Sequence, residues 1–463
     1  MRHEAAPVTV AGPPRSRRPY SGRPTGVPHR AVAADDVTPA PGAAGPRPAG
    51  LPLRRVKSMT PDERVTVVGI GADGWAGLGE SGRSALQHAQ VILGGQRHLD
   101  LLPATVPAQR VPWPTPLLPA LPDLLSTHAG RRICVLASGD PMWFGIGSHL
   151  VRLLDAERIR VVTHPSSIVL ACARMGWPVE QVTVRSAVAR DLDAIRRDLV
   201  ADRLLLVLSQ DAATPAAVAR ILTDAGYGAS EMSVLAALGA DRGHRVDGRA
   251  QEWAAEPGDP LNVVAVRVSA APGTRVLPAV PGLPDDAFDH DGALTKREAR
   301  ALALSRLGPA AGERLWDIGA GSGSIAIEWL RSDPTTSAVA VENRDDRADR
   351  ITANARSLGV PQLRVVRGRA PDALAGLPAP DAVFVGGGLT TPGVFDTAWT
   401  ALRPGGRLVA HAVTLQGERE LADQAARHGG DLTRISVERV TPLGSFTGWQ
   451  PARPVVQWAV NKL

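Results

Sequence analysis

The residues best placed to do chemistry stand between Leu315 and Trp329, which read L-W-D-I-G-A-G-S-G-S-I-A-I-E-W. A short apolar strand, Leu315 to Ile318, runs into a turn holding Gly319, Ala320, Gly321, Ser322 and Gly323, and a helix from Ser324 to Leu330 is expected to follow. Glycine suits a turn where the backbone bends sharply and approaches a ligand, because a Cβ would clash there. The spacing is G-x-G-x-G, with Asp317 two positions before the first glycine. Dinucleotide sites use G-x-G-x-x-G, so this turn points to a nucleoside without a pyrophosphate to seat. The next apolar strand, Ala338 to Val341, ends in Glu342. A carboxylate at that strand end can accept both hydroxyls of a ribose. Taken singly, Glu342 reads equally well as a solvated strand-end acid and Gly368 as a plain turn. It is their order along the chain that makes nucleoside binding the expectation.

A second set of turns lies in the first half. Gly69 and Gly71 end the apolar run from Val65, and Gly139-Asp140-Pro141 follows an expected strand, Ile133 to Leu136. Pro165-Ser166-Ser167 and the stretch from Leu208 to Pro215 complete the set. Open α/β sheets hold ligands at such strand ends. Elsewhere, Thr295 is followed by Lys296, Arg297 and Arg300, three cations able to clamp carboxylates, although a solvated helix face is an equal reading for each. His290, between Asp289 and Asp291, is a candidate for moving a proton near neutral pH, against a capping or solvent role.

These turns need α/β layers to hold them. Val65 to Gly71, Leu204 to Leu208 and Leu261 to Val268 read as buried strands, and strands alternate with helices from Val65 onward. Residues 271–284 are rich in Pro and Gly and read as a linker. A second alternating series follows, with strands expected at Leu363 to Val366, Asp381 to Val385 and Arg407 to Val413. Parallel sheets are therefore expected in both halves, with domains at 61–270 and 285–463. Residues 1–60 lack periodicity, read as a disordered and dispensable tail, and leave Met59 as a plausible start. That tail carries ten Lys or Arg against three Asp or Glu, so the net charge of +6 resides in it and the remaining chain is close to neutral. A neutral body lacks the footprint that nucleic-acid binding needs. No apolar run is long enough to span a membrane. Cys134 and Cys172 match no zinc or redox spacing and read as buried thiols of a reducing compartment.

Residues 282–298, G-L-P-D-D-A-F-D-H-D-G-A-L-T-K-R-E, together with the glycine turn, resemble the CbiT family of decarboxylating precorrin methyltransferases, and the likeness covers 282–463. It implies a Rossmann-like class I methyltransferase fold that binds S-adenosyl-L-methionine. The family's cofactor contacts fall on Thr295, on Gly319 to Gly323, on Glu342 at the ribose, and on Gly368 and Ala370 at the adenine turn. Residues 64–270 resemble the CbiE family of tetrapyrrole methylases, class III methyltransferases of two α/β lobes. That resemblance places cofactor contacts on Gly69, Gly71, Gly139, Asp140, Pro141, Ser166 and Ser167. Where the family commonly has S-x-H-G-R, this sequence has Ser186-Ala-Val-Ala-Arg190, so no catalytic role is assigned there.

A CbiE-like half followed by a CbiT-like half is similar to the fused CobL type. The resemblance implies a bifunctional enzyme of cobalamin biosynthesis that methylates C5 and C15 of a corrin precursor and decarboxylates its C12 acetate. One S-adenosyl-L-methionine site per domain and a small tetrapyrrole substrate follow from it. A homo-oligomer, a cytoplasmic location, and no nucleic-acid or membrane partner are also expected. The carbons to be methylated are enamine-like, so the chemistry asks for positioning and exclusion of water rather than a strong base. The conjugated imines offer the electron sink for decarboxylation. This agrees with a sequence showing no triad, metal motif or Cys nucleophile. Two other readings stay open: one half as a non-catalytic scaffold, and an RNA methyltransferase held by its basic tail.

Overall fold

The computed structural model describes residues 64–463, and the expected tail and start at Met59 lie outside them. The first lobe is a parallel sheet of β1 (Val65–Ile70), β2 (Val91–Gly94), β3 (Gln109–Pro112), β4 (Ile133–Ser138) and β5 (Ile159–Val162), in the order β3-β2-β4-β1-β5. Its central strands read as near-continuous apolar runs because helices cover both faces. Val67, Val91 and Val135 are buried on one side, and Val68, Ile92 and Leu136 on the other.

The second lobe holds β6 (Val182–Ser186), β7 (Leu204–Leu208), β8 (Glu231–Ala236), β9 (His244–Arg249) and β10 (Asn262–Arg267), in the order β6-β7-β10-β8-β9. Only β6 and β7 run parallel, while β10 pairs antiparallel with both β7 and β8. The expected parallel sheet is thus mixed in this lobe. No helix of the length of Thr214–Asp224 separates β8, β9 and β10, so these strands meander and pair antiparallel.

The second half is one seven-stranded sheet. It contains β11 (Arg314–Ile318), β12 (Ser337–Glu342), β13 (Arg364–Arg367), β14 (Ala382–Val385), β15 (Arg407–Ala412), β16 (Asp431–Ile435) and, after a hairpin of β17 (Glu438–Leu443) and β18 (Phe446–Pro451), β19 (Val455–Asn461). The order is β13-β12-β11-β14-β15-β19-β16, and only the β15-β19-β16 edge is antiparallel. Trp316 and Trp458 are buried within one face, Trp329 and Phe384 within the other.

The expected linker is not free chain throughout. Leu283 is part of the core, and the backbone N–H groups of Gly282 and Leu283 donate to Glu328 at 2.6 and 2.9 Å. Leu277 packs against the same core, and its carbonyl accepts from Arg331 at 2.7 Å. Apolar side chains ahead of residue 285 thus pack into the core of the second half. The two halves also touch: Arg197 donates to the carbonyls of Leu330 and Arg331 at 3.3 and 3.0 Å, at the end of the helix Ser324–Ser332. Both cysteines are free and buried, and burial pushes the Cys134 thiol up to about 12. No helix among the described residues is long and apolar enough to cross a membrane.

Candidate active sites

The β11 turn builds the larger site. Gly319 has φ 68°, and a Cβ there would lie 2.7 Å from the backbone of Gly387 beyond β14. Only glycine lets these two loops meet, which opens a cleft at the strand ends. Gly321 donates its N–H to Glu342 Oε2 at 2.9 Å. Glu342 Oε1 accepts from the N–H groups of Asn343 and Arg344 at 3.0 and 3.1 Å. The carboxylate is thus fixed in orientation at the end of β12, with lone pairs left for a ligand. Thr295, Lys296, Gly319, Ala320, Gly321, Glu342, Gly368 and Ala370 all line one cavity of about 860 Å³, within the usual span of small-molecule sites. Ser322 and Gly323 do not. Ser322 is buried, and Gly323 starts the following helix.

Asp317 lines this cavity at the end of β11. Its Oδ2 accepts from the N–H of Ala326 at 3.1 Å, while Oδ1 is buried without a partner. Burial, opposed by that hydrogen bond and reinforced by the nearby Glu342 charge, raises its pKa to about 7. Asp317 thus brings to the cavity wall a carboxyl group with one oxygen that makes no hydrogen bond to the described residues.

The three candidate cations are placed differently. Lys296 lines the cavity, but Arg297 does not. Arg300 has no exposure at all, and its guanidinium pairs with Glu328 at 2.6 Å and Asp285 at 3.2 Å and also donates to the carbonyls of Leu283 and Thr295. Fully buried and with four of its N–H groups engaged, it does not reach a substrate carboxylate. Its work is to tie the 283–295 segment to the core and so position Thr295. His290 is also outside the cavity wall, and its Nδ1 accepts from the N–H of Gly292 at 3.1 Å. Its flanking acids hold the same loop down. Asp289 meets Arg350 at 3.3 Å, and Asp291 meets Arg347 at 2.9 Å, a pairing that lowers the Asp291 carboxyl to about 2.

Sequence reasoning missed the far wall. Arg439 and Arg453, from the region of the β17-β18 hairpin, line the cavity, as does His411 of β15. His411 Nε2 lies 2.9 Å from Gln457 Oε1 and its ring meets Phe384 edge-on at 5.0 Å. Burial lowers its pKa. No spacing in the sequence ties these residues to the glycine turn.

In the first half, Gly71, Gly139, Ser166 and Ser167 line a cavity of about 250 Å³ between the two lobes. Ser166 caps the helix Ser167–Met175, its side chain accepting from Val169 at 3.3 Å. Ser209 and Asn262 enter from the second lobe, joined by a 2.6 Å hydrogen bond. Gly69, Asp140 and Pro141 do not reach the cavity. A Cβ on Gly69 would lie 2.2 Å from the Gly139 carbonyl, so this glycine serves strand packing, and Asp140 Oδ1 caps its own turn at the N–H of Met142. Val188, at the place of the expected histidine, lines the cavity, and Ala189, at the place of the glycine, has φ 52°.

The tetrapyrrole (corrin/porphyrin) methylase family matches residues 64–254, and the precorrin methyltransferase domain family matches 286–462. A precorrin-6Y C(5,15)-methyltransferase [decarboxylating] of a Sinorhizobium species is 46% identical over 399 residues, 86% of this chain and 96% of that protein. The chain belongs to the family of decarboxylating precorrin-6Y C(5,15)-methyltransferases. A Mycobacterium tuberculosis (strain CDC 1551 / Oshkosh) member of this family is 47% identical over 402 residues, covering 86% of this chain and all of that one. The solved C-terminal domain of precorrin-6Y C5,15-methyltransferase from Rhodobacter capsulatus is 46% identical, covers 40% of this chain and all of its own, and has a TM-score of 0.38.

Proposed function

We propose that this enzyme transfers two methyl groups from S-adenosyl-L-methionine to C5 and C15 of precorrin-6B and decarboxylates the C12 acetate, with the tetrapyrrole methylase half acting at C5 and the second half at C15 and C12. The observation that carries this reading is the pair of unlike clefts in one chain, each walled by a glycine turn at a parallel strand end, in a chain that aligns along nearly the whole length of its relatives.

The second cleft fits a nucleoside: its backbone turn approaches closely, Glu342 is oriented by three N–H groups, and Asp317 Oδ1 awaits a partner. The first cleft fits one at Gly71, Gly139, Ser166 and Ser167. S-adenosylmethionine supplies an electrophilic methyl group when bound. Glu342 would hold the ribose and the Gly368–Ala370 turn would lie beside the base. Arg300, through the Thr295 carbonyl, keeps the loop over the cleft in place. Lys296, Arg439 and Arg453 bring cations to the wall, Arg439 in an ion pair with Glu298 at 2.7 Å, and these suit a substrate rich in carboxylates. The carboxyl group of the acetate leaves as CO2, the electron pair of the broken C–C bond enters the conjugated imines, and the methylene carbon that stays on the ring takes up a proton to become the C12 methyl.

A homo-oligomer belongs to the same reading. The hairpin exposes Val440, Leu443, Phe446 and Trp449, an apolar set that a second copy would cover. A cytoplasmic location and the absence of nucleic-acid and membrane partners are likewise part of it. The test is the product formed from precorrin-6B and a methyl-labelled donor. Labelled methyls at C5 and C15 with a methyl at C12 support the reading, whereas unmodified substrate refutes it.

A further inference from the structure

The first cleft is lined almost wholly by glycine, serine and apolar side chains, and Arg97 is the one charged residue among the described residues that line it. Arg97 follows β2 on the short helix Gln96–Asp100 and faces the turn after β4. Its guanidinium contacts neutral groups: Nη2 lies 2.8 Å from His98 Nε2 and 3.4 Å from Ser138 Oγ. Since arginine can only donate, the imidazole must accept, which requires a neutral His98. Burial and the Arg97 charge indeed lower the His98 pKa to about 4. Among the described residues no carboxylate forms an ion pair with Arg97. The acid whose field reaches it, Asp259, is already paired with Arg242. The Arg242 charge and burial both work against the Arg97 cation. A guanidinium at a cavity wall, held by neutral partners and with the charge of a second arginine acting on it, is suited to take an anion.

We propose that Arg97 is the carboxylate-binding residue of the first cleft and thereby fixes the register of methyl transfer in that half. This rests on the methyltransferase reading above. Two carboxylates reach such a cleft, the amino-acid end of the methyl donor and an acetate or propionate of the macrocycle, and a guanidinium takes either as a forked pair. His98 and Ser138 aim the fork. The second site, with its own cations at Lys296, Arg439 and Arg453, is independent of Arg97.

The full chain carrying Arg97→Gln or Arg97→Lys is assayed with precorrin-6B and 13C-methyl donor, so that the C5 and C15 methyl signals are resolved. In Arg97→Gln the KM for C5 methylation rises about 10- to 100-fold, the loss expected for one charged hydrogen-bond pair. A rise in the macrocycle KM assigns the substrate carboxylate, and a rise in the donor KM assigns the donor. Arg97→Lys recovers part of the loss, and C15 methylation with CO2 release stays at the wild-type rate. Unchanged C5 constants in Arg97→Gln overturn the proposal, as does an Arg97→Lys enzyme no better than Arg97→Gln. A wild-type chain that makes no C5 methyl at all would instead sink the underlying reading, whatever Arg97 does.

Discussion

At the residue scale, Glu342 and Asp317 define the second site by opposite means. Glu342 is satisfied by three backbone N–H groups, so it is an ordered acceptor before any ligand arrives. Glu342→Ala removes a charged acceptor, and its loss should weaken S-adenosylhomocysteine binding at this site by about one to two decades. Calorimetric titration reads that directly, and an unchanged second affinity would remove Glu342 from the ribose. Asp317 is left half-satisfied by burial, with a pKa raised to about 7. A cationic ligand beside it favours the ionised form, so affinity at this site should climb between pH 6 and 8. Asp317→Asn should flatten that climb. The sign for stability is the reverse. A raised carboxyl pKa means the folded state holds the proton more tightly, so its contribution is complete below the unfolded value and is lost as pH rises through about 7. A pH-independent wild-type affinity would contradict the assignment.

At the scale of elements, the segment 277–300 decides whether the site is assembled. Arg300 and Glu328 are a buried ion pair with further hydrogen bonds to Gly282, Leu283 and Thr295. Arg300→Met strands Glu328 in the core, and breaking such a pair costs about 3–5 kcal/mol. The second-domain transition in calorimetry should fall accordingly, and an unshifted transition would contradict the positioning role. The sequence made β1, β7, β11, β12, β14 and β15 legible, because strands buried on both faces read as unbroken apolar runs. It did not reveal the mixed pairing of β8, β9 and β10, since strand direction depends on connections rather than on the apolar pattern. It did not reveal that Leu277, Leu283 and Arg300 find distant partners in the 328–331 stretch, because local composition carries no mark of such contacts. The near wall of the second site was legible because turn and strand end lie close in sequence. Its far wall, His411, Arg439 and Arg453, comes from the opposite end of the sheet and had no local mark.

At the scale of the whole molecule, two unlike clefts in one chain imply two donor sites. Titration with S-adenosylhomocysteine should approach two equivalents per chain, and a single equivalent with the first cleft silent would favour a scaffold role for that half. The halves meet where Arg197 caps the carbonyls of Leu330 and Arg331, groups that water can serve once the halves are parted. The second half should therefore fold alone, provided that it keeps Leu277 and Leu283. A fragment 271–463 should be stable where 285–463 is not. The most direct measurement is the mass of the product that fragment 271–463 makes from precorrin-6B and a labelled methyl donor. The expected product has gained one methyl and lost CO2, because one cavity holds the donor frame and the cationic wall together. A product that has gained a methyl but kept its carboxylate would show that decarboxylation needs the first half, and would contradict the division of chemistry between the two.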